Sequence, residues 1–144
     1  MLNVKGMTPM SAKETAIYMD GIHQTNATGF EFKATITTKP SAVLGQRGET
    51  TRVENIKYTG TFKLYKRDPW LQEYIKFVQE HGYHKRFDLT GLSDSEGSDY
   101  YQRHGSQTVT MLNCVLTGDI TLLMGDTNGD DVLETLSFEA ETML

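Results

Sequence analysis

The sequence predicts a mainly β (α+β) fold: a small antiparallel β-barrel or sandwich with one flanking α-helix at about residues 69–81. Three observations carry that reading. Two long runs, Thr28–Ile36 and Asn55–Lys66, alternate apolar and polar residues with a period of two. A third run near the end of the chain, Val132–Thr142, does the same. Between them lies a single stretch with helical spacing and a recognisable start and stop.

Taken in order, Ala16–His23 reads as a hairpin, with Asp20-Gly21 as its turn. In Thr28–Ile36, Phe30, Phe32, Ala34 and Ile36 share one face, and Glu31, Lys33 and Thr35 the other. Asn55–Lys66 places Ile56, Tyr58, Phe62 and Leu64 opposite Lys57, Thr59, Thr61, Lys63 and Tyr65, and Gly60 within it should mark a bend or a point of close packing. Between these strands, Pro40, Gly45 and Gly48 interrupt regular pairing, so about residues 37–54 should form a long extended loop or an open hairpin. Asp68-Pro69 supplies an N-cap followed by proline at the first helical position. Leu71, Tyr74, Ile75 and Val78 then fall on one helical face, and Gly82 ends it. At that spacing Trp70, Tyr74 and Phe77 read as core against a sheet rather than as base-stacking groups. Further strands are expected at Lys85–Leu92, Gln107–Thr117, Ile120–Met124 and Val132–Thr142. The last has Val132, Leu136, Phe138 and Ala140 on one face and Thr135, Ser137, Glu139 and Glu141 on the other. Ser93–Ser106 is polar and punctuated by glycine, as in a loop.

The 144 residues suit one domain, 1–144, with one core. A hydrophobic content of 38% is low for a globular chain, so the core of a single copy should be modest and its polar surface extensive. That leaves room for self-association. No apolar run has signal-peptide length, and none approaches the roughly 20 residues of a membrane span, so a soluble protein made in the cytoplasm is expected. Cys114, the single cysteine, sits in the alternating run TVTMLNCVL and reads as a small buried hydrophobe.

Catalytic and metal-binding patterns fail in turn. In GDTNGDDVLETLS, Asp126, Asn128 and Asp130 fit the opening of a calcium loop. Asp131 then stands where glycine is needed, and Ser137 where a bidentate glutamate belongs, which leaves an acidic hairpin loop. His81 and His84 have no third ligand near them in sequence. GLSDSEG lacks the spacing of a nucleophile elbow, and no phosphate-binding glycine motif occurs. No enzyme, cofactor or metal is expected.

The charge pattern is the feature left over. The net charge is −5, yet Arg47, Arg52, Lys57, Lys63, Lys66 and Arg67, six of the fourteen Lys and Arg residues, fall between Leu44 and Arg67. Two readings fit. The face from Lys57 to Arg67 suits a small single-strand nucleic-acid-binding β-domain, with cations along a stacking platform. The same cations also suit contacts with acidic loops, Asp94–Asp99 or Asp126–Asp131, on another copy. The second is favoured because the chain supplies both partners.

In the order of its features the chain resembles the tail tube proteins of contractile-tailed phages, in particular the PBSX-type prophage group, whose relatives build R-type bacteriocins such as diffocins. The matching residues are Met19-Asp20-Gly21, Leu44-Gly45-Gln46-Arg47, the run Tyr58–Lys66, Tyr74–Val78, Phe87-Asp88-Leu89, Val109–Cys114 and Leu136–Ala140. The resemblance implies a tail-tube-like β-barrel with a flanking helix, hexameric rings of identical subunits, and stacking of those rings into a tube through which DNA passes without specific binding. It implies partners in the tail sheath, baseplate and terminator proteins, synthesis in the bacterial host cytoplasm, and neither cofactor nor catalytic residue nor membrane insertion. On this reading the 37–54 segment reaches between subunits or rings. The interface candidates are Arg47 and Arg52, for ion pairing, together with Lys57 and Lys63, and threonine-rich strand faces line the channel.

Overall fold

The computed structural model describes residues 8–42, 48–125, 129 and 131–144. Strand β1 (Thr15–Met19) turns into β2 (Ile22–His23) through Asp20 and Gly21, whose φ values of 51° and 82° are what a two-residue hairpin turn of the right twist needs. Next come β3 (Ala27–Ala42) and β4 (Glu49–Tyr65), paired from Ala27↔Leu64 to Ala42↔Glu49. The 37–54 segment is therefore the far half of an open hairpin rather than an extended loop. Threonine, valine and isoleucine, which favour strands, outweigh Pro40 there, because β3 is an edge strand where a missing N–H is tolerated.

Helix α1 spans Trp70–His81, with Gly82 at φ 73° closing it by donating to the Val78 carbonyl. Its N-cap is Pro69, not Asp68. Asp68 turns its carboxylate to Arg67 Nε, 3.2 Å away. After α1 come β5 (Phe87–Ser93), α2 (Asp99–His104), β6 (Gln107–Thr117), β7 (Leu133–Ala140) and β8 (Thr142–Met143). Two sequence expectations need correction. The presumed loop at 93–106 contains α2, started by Ser98, whose buried Oγ accepts from the Tyr101 N–H. Ile120–Met124 is not a strand: Gly118, at φ 74°, turns the chain out of β6, and Leu122–Met124 lie exposed.

All eight strands belong to one antiparallel sheet, ordered β2-β1-β5-β6-β7-β4-β3, with β8 added to β6. The sheet curls until Phe30 and Phe32 of β3 lie over Gly91 of β5, yet among the described residues it does not close. It is an open barrel. Its interior holds Ile17, Met19, Phe62, Leu64, Leu89, Met111, Leu136 and Phe138, the alternate residues of successive strands. Helix α1 covers one end. Leu71 and Tyr74 are buried there, Trp70 and Tyr74 meet Phe87 edge-on, and the Tyr74 hydroxyl accepts from the Leu116 N–H at 3.1 Å.

Gly60 allows β4 to cross this core. A Cβ there would stand 2.7 Å from Cζ of Phe138 and press on the Glu31 carbonyl oxygen, a backbone atom that does not yield. Gly60→Val should therefore lower the unfolding free energy by about 3 kcal/mol or more, beyond ordinary overpacking, as read by denaturant titration. Wild-type stability in that variant would contradict the packing.

Candidate functional site

Hairpin β3–β4 outruns the sheet that supports it. Strand β4 pairs with β7 only from Tyr58↔Ala140 to Tyr65↔Leu133. Beyond Tyr58 its partner is β3 alone, so the two strands project as an arm, exposed on both faces from Lys33 to Pro40 and from Thr51 to Lys57. A bulge in this arm decides which residues share a face. Register passes from Thr37↔Asn55 to Thr38↔Val53 and skips Glu54. Val53 thereby joins Ile36 and Ile56 on the face that continues the core, at 58%, 59% and 42% exposure. Arg52 joins Lys33, Lys39 and Lys57 on the opposite face. Strict alternation without the bulge would have reversed Val53 and Arg52.

Of the interface candidates, Arg47 lies outside the described residues. Arg52, Lys57 and Lys63 all fall on the outward face of this ribbon. Lys57 Nζ is 3.0 Å from Glu139 of β7, and Lys33 is 3.0 Å from Glu31. Arg52 stands directly across from Lys39, and among the described residues neither makes an ion pair. Like charges in direct cross-strand contact cost a few tenths of a kcal/mol, so this stretch of the arm favours an incoming anion. Farther down, the outward face is made of Thr59, Thr61, Thr135 and Ser137 with Lys63 and Glu139, a surface of hydroxyls with mixed charge. The cations from Lys57 to Arg67 do not form one open track. Lys66 turns to Glu134 and Arg67 to Asp68, and Tyr65 is the one aromatic that β4 presents on this face.

The end of the sheet remote from the arm is acidic. Met19, Leu64, Pro69 and Trp70 wall a cleft of about 470 Å³, with Asp20, Asp68 and Glu73 among its lining residues. Glu134 lines it too, 8% exposed. Its Oε2 is buried without a hydrogen bond, and the nearest cation, Lys66 Nζ, is 3.9 Å off and donates to the Leu122 carbonyl. Asn26, on the same cleft, donates to the Tyr65 carbonyl at 2.6 Å, while its Oδ1 is buried and unpartnered. Burial pushes the Glu134 carboxyl above the ordinary carboxylate range, an effect that Lys66 only partly offsets. Sequence reading missed this residue although the signal was present. Period-two counting from Val132 through Leu136 and Phe138 puts position 134 on the buried face.

The remaining reactive side chains are accounted for by packing. Cys114 is buried, its thiol pushed up to about 12 by desolvation, and it donates to the Met111 carbonyl. His81 stacks on Phe77 at 4.2 Å, with Nδ1 3.0 Å from the Phe77 carbonyl oxygen. Among the described residues no three His, Cys, Asp or Glu side chains gather as a metal site, and no helix is long and apolar enough to cross a membrane.

An open antiparallel barrel with a projecting two-stranded arm is the architecture of a structural β-domain. The chain belongs to the family described as phage tail tube protein, whose sequence profile matches residues 3–142. That family is one of structural proteins, not of enzymes. Comparison with curated protein sequences gives no match. Among solved structures, the fold is similar to chains in two assemblies of an extracellular contractile injection system. One is the PVC sheath/tube terminator (TM-score 0.69, 13% identity, 96% of this chain and 97% of that one). The other is the PVC sheath-tube complex, both in the extended state (TM-score 0.68, 10% identity, 100% and 97%). It is similar as well to a chain of the anti-feeding prophage tube-terminating cap (TM-score 0.68, 10% identity, 99% and 93%).

Because native Glu134 holds its proton more tightly than the unfolded chain does, its contribution to stability is present at low pH. That contribution is lost as pH rises from about 4.5 through the raised native value. Glu134→Gln should remove this part of the decline, so the variant gains on wild type between pH 4.5 and neutrality in paired denaturant titrations. Parallel pH profiles for the two proteins would contradict it.

Proposed function

We propose that this protein is the subunit of the inner tube of a contractile tail, a phage tail or an R-type bacteriocin, in which hexameric rings stack into a conduit for DNA or ions. One observation carries the reading. The outer edge of β3, sixteen residues long, is unpaired among the described residues in a sheet that stops short of closing. An exposed edge of that length templates pairing with another chain, and a ring of identical copies satisfies every such edge. Family membership and the fold shared with tube, terminator and cap chains support the same reading. Sheath, baseplate and terminator proteins are the partners that follow, and the hydroxyl-rich outward sheet face is our choice for the channel wall.

The arm would then join one ring to the next. Its Ile36, Val53 and Ile56 are left exposed by the described residues of the subunit that carries them, and obligate contacts of this kind bury on the order of 2,000 Å² or more. Electron microscopy of purified protein, nucleated with sheath or baseplate extract, tests the proposal: tubes are expected, and protein that stays monomeric throughout would overturn it. Salt-dependent oligonucleotide binding should be weak, against the single-strand-binding alternative. Arg52→Glu, in an exposed strand, should abolish tubes while changing monomer stability by no more than about 0.5 kcal/mol. Unaltered tubes would remove Arg52 from the interface.

A further inference from the structure

We propose that the acidic cleft under the start of α1 is a socket for the cation pair on the outward face of the arm, Arg52 with Lys39, of a second copy of this chain. The inference rests on the self-assembly reading above and names the contact that makes it directional.

Each half is incomplete alone, and each lacks what the other carries. At the arm, two cations face one another across the ribbon with no carboxylate in ion-pair range among the described residues. At the cleft, Glu134 is nine-tenths buried, and its Oε2 and the Oδ1 of Asn26 lack donors. The cleft is lined by four carboxylates, Asp20, Asp68, Glu73 and Glu134, against one cation, Arg67. Among the described residues Lys66 is the one other cation in ion-pair range of Glu134, at 3.9 Å, and it donates to the Leu122 carbonyl. A guanidinium presents several N–H donors in one plane, which suits two or more acceptors that want hydrogen bonds, and its weak hydration suits a half-buried site. The apolar walls, Met19, Leu64, Pro69 and Trp70, would take the alkyl stems. The cleft's 470 Å³ has room for the two ends.

Position in the fold gives the contact its geometry. Asn26, Leu64 and Glu134 mark one end of the β3–β4–β7 sheet, and the arm projects from the other. A subunit therefore cannot reach its own socket. A copy displaced along the strands can, and such a head-to-tail contact repeats without closing. Twelve residues of β4 separate Leu64 from Arg52, about 40 Å at the rise of an extended strand, which sets an upper limit on the axial repeat.

Assembly of wild type, Arg52→Gln, Glu134→Gln and the double variant is to be compared by critical concentration. Each single change should raise it tenfold or more, and the double should be no worse than the poorer single, because both remove one contact. Glu134→Gln should leave the isolated monomer at least as stable as wild type at neutral pH, so its defect cannot be one of folding. Additive losses, or no loss in Glu134→Gln, would overturn the socket. Carbodiimide cross-linking of wild-type tubes gives a check free of any variant: Lys39 should be joined to Glu134, Glu73 or Asp68 of another copy. Cross-links from Lys39 to the Asp94–Asp99 segment instead, or an axial repeat well above 40 Å, would overturn it too. Wild-type protein that forms no tubes at all would bring down the underlying assembly reading, a result distinct from tubes that form without this contact.

Discussion

Everything in this molecule depends on one pairing, the antiparallel ladder between β3 and β4, which is longer than the rest of the sheet can support. Its inner third packs Phe30, Phe32, Phe62 and Leu64 against the strands opposite. Beyond Tyr58 the same two strands run on, their alternation shifted once at Glu54, with no other described strand beneath them. The inward backbone groups of the arm bond across its own hairpin, those on its two outer edges have no partner strand among the described residues, and an isolated two-stranded ribbon is marginal in water. The arm therefore gains from any surface that covers Ile36, Val53 and Ile56, which the described residues of the subunit leave exposed. On the proposed tube reading, this incompleteness of the single subunit is what would drive association.

Two local devices let the ladder run so far. Gly60 removes a side chain where the Phe138 ring crosses β4, so the core-facing phenylalanines of β3, β4 and β7 close on one another: Phe62 and Phe138 sit 6.0 Å apart, and Phe138 meets Phe32 edge-on at 5.5 Å. At Glu54 the bulge shifts the register by one, which puts Val53 on the core side and Arg52 with the other cations on the opposite face. A further bulge, in β6, ties two interior strands to the β1–β2 turn through the residue opposite it, Asp88 of β5. Its carboxylate accepts from the Asn113 N–H at 3.0 Å, and its own N–H donates to the Asp20 carboxylate at 2.9 Å. The β1–β2 turn is thus pinned to β5 and β6, and with it Met19 and Asp20 on the wall of the cleft.

Much of this was legible in the sequence because it rests on period and on turn chemistry. Thr28–Ile36, Asn55–Lys66 and Gln107–Thr117 announce strands by alternation alone. Asp20-Gly21 announces its turn, and Gly60 its close approach. What escaped were features set by partners distant in sequence. Whether Thr37–Glu54 is loop or ladder depends on each strand finding the other in register, and a bulge of one residue reverses every face beyond it. Ile120–Met124 has the composition of a strand, but β6 is already flanked by β5, β7 and β8. Ser98 starts α2 only because Ser95 and the backbone at Thr8 hold the turn before it. Among the interface candidates, alternation places Lys57 and Lys63 on one face, but Arg52 reaches that face only through the bulge, and the cleft at Glu134 draws its walls from β1, β4, α1 and β7 and has no contiguous signature.

The buried carboxylate connects stability to directionality. A glutamate at an apolar strand position, 3.9 Å from its nearest cation, makes the isolated subunit less stable near neutral pH than an amide would. Nothing in the subunit's own packing requires an acid there. Such a residue acts as a bias: an incoming cation is worth most where the existing charge is least satisfied, and a partner without one is penalised by the same desolvation. Stacking driven by the apolar arm alone would be strong but indifferent to orientation, since an apolar ribbon accepts many surfaces. Placing the unsatisfied anion at one end of the sheet and the unsatisfied cations at the other gives the two ends opposite character, and only head-to-tail addition matches them.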